Sequence, residues 1–214
     1  MKITLILMLI FYSVVQCLGQ TSQELSNRAW GHILLNEYAE AIPWYSRAIK
    51  IDPSNKKLIL ERSFAKFMLN DYRGVISDCN MVIQIDPNYI DAYLKRAQAK
   101  FEQKDFQGSI SDYTQVIKLQ PNNAEAYLLR GKSKTVINSG QAITDFTIAI
   151  QNNPDYGEAY LYRGLLRMYL ACKDDNCPDL TQRCPCKDIG CADLSRAGEL
   201  GENKAYEHIA KFCK

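Results

Sequence analysis

The sequence is poor in histidine: only His32 and His208 occur in 214 residues, and neither has a serine, cysteine or aspartate placed beside it as a catalytic triad requires. It contains no glycine-rich phosphate loop, no dinucleotide fingerprint and no paired-histidine metal motif. The usual sequence signs of an enzyme are thus missing, and neither a cofactor nor a catalytic residue is expected. Charge of one sign is also missing: 26 Lys and Arg stand against 24 Asp and Glu, a formal net of +2. No nucleic acid or anionic surface is called for by that balance. After residue 20 there is no apolar run near the ~20 residues that a spanning helix needs, so no integral membrane span is expected.

What is present begins with the N-terminus, "MKITLILMLIFYSVVQCLGQ", in which one lysine precedes an apolar run from Ile3 to Val15. That pattern reads as a secretory signal peptide over residues 1–19, cut after Gly19, and it predicts an exported, periplasmic or secreted, chain. A second reading makes Cys17 the lipid-bearing residue of a lipoprotein, although Gln16 before it fits poorly. Residues 20–214 are enough for a single domain with a substantial core.

Self-similarity organises the remainder. Pro53, Pro87, Pro121 and Pro154 recur at almost equal intervals, closing the phrases "AIKIDPSN", "VIQIDPNY", "VIKLQPNN" and "AIQNNPDY". Upstream of each proline, apolar and small residues return at three- and four-residue spacing in two successive stretches, the pattern of a pair of amphipathic helices. The phrase and its period of about 34 residues resemble the tetratricopeptide repeat. Ala41, Tyr45, Ala48 and Pro53 match its small–aromatic–alanine–proline signature, as do Ala142, Phe146, Ala149 and Pro154. Val75 and Ser109, then Val82 and Val116, make the second and third units looser, and Cys79 stands in the aromatic's place as an expected buried thiol.

The resemblance implies an all-α fold, a right-handed α-solenoid of antiparallel helix pairs. Units are expected at about residues 22–55, 56–89, 90–123, 124–156 and 157–201, with a cap over 202–214. The fourth unit is one residue short in its turn, "VINSGQA", and loses the aromatic that Tyr38, Tyr72 and Phe106 supply elsewhere. That hairpin is expected to be the least tightly packed.

In the first helix of every unit an arginine stands where the family usually has leucine: Arg28, Arg62, Arg96, Arg130 and Arg163. After a nearly fixed interval Asp78 follows Arg62, Asp112 follows Arg96 and Asp145 follows Arg130. In an antiparallel hairpin, residues equally distant from the turn face each other, so each arginine should meet its aspartate. An arginine in a packed seam needs such a partner, which makes structural ion pairs the favoured reading over an anion-binding row. From Arg163 the matching acid is Asp193, roughly double the usual interval away. The cysteine-rich stretch, about 172–188, therefore reads as an insertion into the turn of a fifth hairpin.

The resemblance further implies a concave groove lined by first helices and holding a peptide or another protein. The groove residues would be Leu60, Phe64, Phe67, Met68, Leu94, Gln98, Phe101, Leu128, Lys132, Leu161, Leu165 and Met168. They are mostly apolar, which suits an apolar or amphipathic partner and not an acidic tail. The alternative for any of them is packing against a neighbouring helix or the cap.

Cys172, Cys177, Cys184, Cys186, Cys191 and Cys213 form an even set in a chain read as exported, which favours three disulfides over a metal site. Cys191 opens one helix and Cys213 closes the next, so antiparallel packing should join them. Cys172 and Cys177 are then left for the CPC element of Cys184 and Cys186, in either order. The expectation is a non-enzymatic interaction scaffold. A metal-binding or thiol-redox module, or a structural subunit of an envelope assembly, stands as the alternative.

Overall fold

A computed structural model describes residues 21–137, 139–174 and 186–213. Eleven helices and no strand occur among them: α1 (Ser22–Leu34), α2 (Tyr38–Ile51), α3 (Lys56–Met68), α4 (Tyr72–Ile85), α5 (Ile90–Glu102), α6 (Phe106–Leu119), α7 (Ala124–Ile137), α8 (Ser139–Asn152), α9 (Gly157–Asp174), α10 (Cys186–Glu199) and α11 (Asn203–Phe212).

Local chemistry sets the boundaries. Thr21 and Glu24 form a reciprocal capping box at the start of α1, and Asn55 accepts from the Leu58 N–H to open α3. Asp71 and Asp105 do the same for Gly74 and Gly108 at α4 and α6, and Asn123 for Ala126 at α7. Each cap satisfies a helix N–H that has no partner within the helix and is worth ~1 kcal/mol. The turns inside the first three hairpins end on a left-handed residue, Asn36, Asn70 and Lys104, with φ of 60°, 59° and 64°. Asparagine tolerates that conformation; lysine does so at a cost.

Two compact units are distinguished among the described residues, dividing between Ala92 and Tyr93. In the first, α1 pairs with α2 and α3 with α4. Its core holds Leu25, Ala29, Ala41, Tyr45, Ala48, Ile59, Val75, Cys79 and Val82, all almost wholly buried. Ala41, Tyr45 and Ala48 occupy the same places in their helix as Val75, Cys79 and Val82 in α4, which is why a thiol can stand where an aromatic would.

In the second unit the equivalent positions are Ser109, Tyr113 and Val116 on α6, and Ala142, Phe146 and Ala149 on α8; all are buried. The hairpin of α7 and α8 departs from its expected looseness. Phe146 is fully buried in a cluster with Leu128, Ala142, Ala149, Ile150, Ala159 and Leu166. Its ring lies so close to Gly131 that a Cβ there would sit 2.6 Å from Cε1. The glycine lets the ring seat against α7.

α9 and α10 approach each other at Gly164 and Gly190, where a side chain on Gly190 would collide with the Gly164 carbonyl. α9 runs on to Asp174 and α10 starts at Cys186, so both helices reach into the stretch 172–188. α11 packs on α10, and Leu161, Met168, Leu194, Ala197 and Ala205 form the core there, with Ile209 and Phe212 against it.

Candidate partner-binding cleft

The arginines form four rungs of one design. Arg62 donates from Nη2 and Nε to Asp78 at 2.7 and 3.0 Å. Arg96 and Asp112 are 2.6 Å apart, Arg130 and Asp145 2.7 Å, Arg163 and Asp193 2.7 Å. All four carboxylates are buried. Each also receives a second cation four residues after the arginine: Lys66 at 2.9 Å, Lys100 at 2.8 Å, Lys134 at 2.9 Å and Arg167 at 2.9 Å. Sequence reasoning missed these four cations, although an i, i+4 spacing places them on the arginine's own helix face. Arg96, Arg130 and Arg163 also lie over Tyr93, Tyr127 and Tyr160, 5.3 to 5.5 Å from the ring centres.

Three of the arginines reach back to the preceding hairpin. Nη1 of Arg62 donates to Ser46 at 3.1 Å, that of Arg130 to Thr114 at 3.2 Å, and that of Arg163 to Thr147 at 3.3 Å. Each of these three rungs therefore ties the two helices of its own repeat and also ties that repeat to the one before. Arg28 differs: Trp44 occupies the place of the aspartate, and Arg28 and Arg47 both lie over its indole, 5.2 and 5.0 Å from the centre. An aromatic face takes over the role of the carboxylate there.

The residues expected to line a groove divide by burial. Leu60, Leu128, Leu161 and Met168 are buried and cannot present a surface. Leu128 packs with Phe146, and Leu161 and Met168 pack with Leu194, Ala197 and Ala205 on α10 and α11. Phe64, Met68 and Gln98 are exposed; Phe67, Leu94, Phe101, Lys132 and Leu165 are half-buried. Within the first unit, Ser26 on α1 donates to Glu61 on α3 at 3.4 Å, which sets those two first helices side by side. Trp30 and Leu34, one and two turns beyond Ser26, are also exposed.

In the second unit α7 and α9 enclose an apolar cleft of about 530 Å³, lined by Thr135, Val136, Tyr162, Leu165, Leu166 and Tyr169. That volume suits a bound side chain or small group. Val136 and Tyr169 are 57% and 55% exposed, so the apolar lining of the cleft reaches the surface. Of these residues only Leu165 belonged to the expected set. Tyr162, Leu166 and Tyr169 each fall one helical position after an expected residue, a shift that periodicity cannot resolve.

Charge is confined to the cleft's margin. Lys132 donates to Glu158 at 3.0 Å and lies 4.8 Å from the centre of the Tyr162 ring. Burial alone would depress its ammonium pKa, but the Glu158 hydrogen bond and charge, with Tyr162, hold it above the ordinary lysine value. Tyr156, just before α9, is pushed up to about 12 by burial and by the charges of Glu158, Glu125 and Glu202. The start of α9 is thus an anionic rim next to an apolar cleft.

Cys191 and Cys213 form a disulfide with Cα atoms 5.8 Å apart. Cys177 and Cys184 lie outside the described residues, as do the side chains of Cys172 and Cys186. Among the described residues no group of three or more His, Cys, Asp or Glu is placed to hold a metal, and no helix is long and apolar enough to cross a membrane.

Paired helices braced by a repeated buried ion cluster define a helical-repeat protein. A family profile described as "Tetratricopeptide repeat" matches residues 22–55 and one described as "TPR repeat" matches residues 97–134. The first TPR of Spaghetti (RPAP3), solved with the HSP90 peptide SRMEEVD, is 30% identical, covering 55% of this chain and 94% of that one, with a TM-score of 0.52. This chain belongs to the tetratricopeptide-repeat family. MamA from Desulfovibrio magneticus RS-1 has the same fold, with a TM-score of 0.71 at 16% identity over 85% of this chain and 96% of its own. So does YrrB, titled a TPR protein with an unusual peptide-binding site, with a TM-score of 0.65 at 14% identity over 88% and 91%. No curated protein matches the chain.

Proposed function

We propose that the chain is an exported, non-enzymatic scaffold that holds a segment of a partner protein, with the α7–α9 cleft as a principal seat. The observation that carries this is the exposed apolar lining of that cleft, Val136 and Tyr169 above Leu165 and Leu166. The peptide-binding site named for YrrB and the HSP90 peptide bound to the first TPR of Spaghetti support the class of partner. Export is supported by the N-terminal apolar run and by the Cys191–Cys213 bond, which suits an oxidising compartment. In this reading residues 1–19 are removed, and 20–214 act as one domain of five repeats with a cap. Phe64 and Met68 add apolar surface within the first unit and Phe101 within the second, and the four remaining cysteines brace the segment between α9 and α10.

Crosslinking capture from the secreted or envelope fraction of the source cells tests the seat. A partner bound by the native chain should be lost by Val136→Asp and by Tyr169→Ala, both exposed positions whose substitution leaves the melting temperature unchanged. Equal capture by the variants would remove the cleft from the function. Non-reducing mass spectrometry should show the six C-terminal cysteines oxidised; six thiols would instead favour a redox or metal role for that segment.

A further inference from the structure

The C-terminal face of the fifth hairpin is shaped to one particular helix. α11 is 10 residues long, below the ~12–15 that an isolated helix needs in water, so its docking keeps it helical. It packs on α10. Ile209 and Phe212 pack, with Ala205, against Leu161, Met168, Leu194 and Ala197. The Tyr206 ring lies so near Gly198 that a Cβ there would stand 2.9 Å from Cζ. Undocked, α11 would leave two matching apolar faces in water, its own and the one it covered. A second copy of the chain offers each of those faces the same fit.

The connection between α10 and α11 is Leu200, Gly201 and Glu202, and it folds back through Gly201 at a φ of 93°. Gly201 donates its N–H to the Gly198 carbonyl and Glu202 to that of Ala197, both at 3.0 Å. Once those bonds open, the connection can extend by about 10 Å and carry α11 off its own α10 and onto a neighbour's. Cys191 stands in the first half of α10 and Cys213 just beyond α11, both away from that turn. Their bond therefore needs an α11 lying antiparallel along an α10. It does not need the two helices to belong to one chain.

We propose that α11 is an exchangeable arm: two copies of the chain trade it, each α11 docking on the α9 and α10 of the other copy. The Cys191–Cys213 bond then fixes whichever arrangement, closed or exchanged, is present when it forms. In the exchanged dimer the Cys191 of each copy is bonded to the Cys213 of the other. Each bond forms as the two thiols give up two electrons and two protons to a disulfide oxidant such as glutathione disulfide, which leaves as two thiols. A dithiol returns the same electrons and frees the arm again. The exchange makes no use of the α7–α9 cleft and stands apart from its role.

The test mixes equal amounts of the full chain in light and heavy-nitrogen form at high concentration, reduces the mixture with dithiothreitol, and reoxidises it with glutathione disulfide. Size exclusion with light scattering separates monomer from dimer, and mass spectrometry of a non-reduced digest reads the Cys191–Cys213 pairs. In the dimer about half of those pairs should join a light peptide to a heavy one, as random pairing of two copies requires. In the monomer none should. Gly201→Ala adds a methyl that meets no atom but disfavours the closed turn, and it should raise the dimer fraction several-fold. A dimer whose Cys191–Cys213 pairs are all light with light or heavy with heavy would place the interface elsewhere and overturn the exchange. So would a return to monomer alone in both the native chain and Gly201→Ala. A dimer fraction equal in the two would remove this turn as the hinge.

Discussion

Arg163 and Asp193 meet at 2.7 Å across 30 residues of sequence, where the other rungs are closed by 15 or 16. The geometry of the rung is unchanged by the added stretch, down to the second cation, Arg167, at 2.9 Å from the same carboxylate. The ion cluster is therefore a fixed element of these four repeats, and connections of different length are accommodated around it.

Asp112→Ala should destabilise the protein by about 3–5 kcal/mol, because it removes the buried carboxylate that Arg96 and Lys100 share. Urea denaturation should show the midpoint falling with the slope unchanged. Asp112→Asn, which keeps the shape and loses the charge, should still be clearly destabilising. If either variant melted like the native chain, the rungs would not be structural.

Gly131→Ala should cost about 1–3 kcal/mol, because its methyl would meet the Phe146 ring inside van der Waals distance. Combining it with Phe146→Leu should recover part of the loss, so the two changes should be non-additive in a double-mutant cycle. Additive losses would separate Gly131 from the ring.

Lys104→Gly should stabilise the chain by about 1 kcal/mol, since Lys104 is held at a φ of 64° that an L side chain disfavours and glycine does not. Asn36 and Asn70 hold the same place in their own hairpins, and Lys104→Asn should give a smaller gain. Thermal melts of the three proteins would rank Gly above Asn above Lys.

The sequence makes the helix pairs and the arginine rungs legible for one reason: both depend on intervals that survive substitution. The proline phrase returns once per repeat and the arginine-to-aspartate step hardly varies within a repeat, and two antiparallel helices convert such intervals directly into contacts. The lysine at i+4 was equally visible but reads as an ordinary solvated charge until the buried aspartate is seen between the two cations. Trp44 hides the first rung because it replaces a charge by a ring. The binding surface is harder to read, since one helical position separates Leu161, which is buried, from Tyr162, which lines the cleft. Both are large and apolar, and only the fit of α10 and α11 decides between them. Residues 175–185, which carry Cys177 and Cys184, lie outside the described structure.

The bond between Cys191 and Cys213 also gives the chain a direction of failure. A terminal helix in a stack has neighbours on one side only, and stacks of this kind fray from their ends. At the C-terminal end α11 is covalently fastened to α10, so it can swing loose only if a much larger piece of structure moves with it. At the other end α1 is held by packing and by the stacking of Arg28 on Trp44. Reduction should therefore raise amide exchange in α11 toward that of α1, which has no such bond.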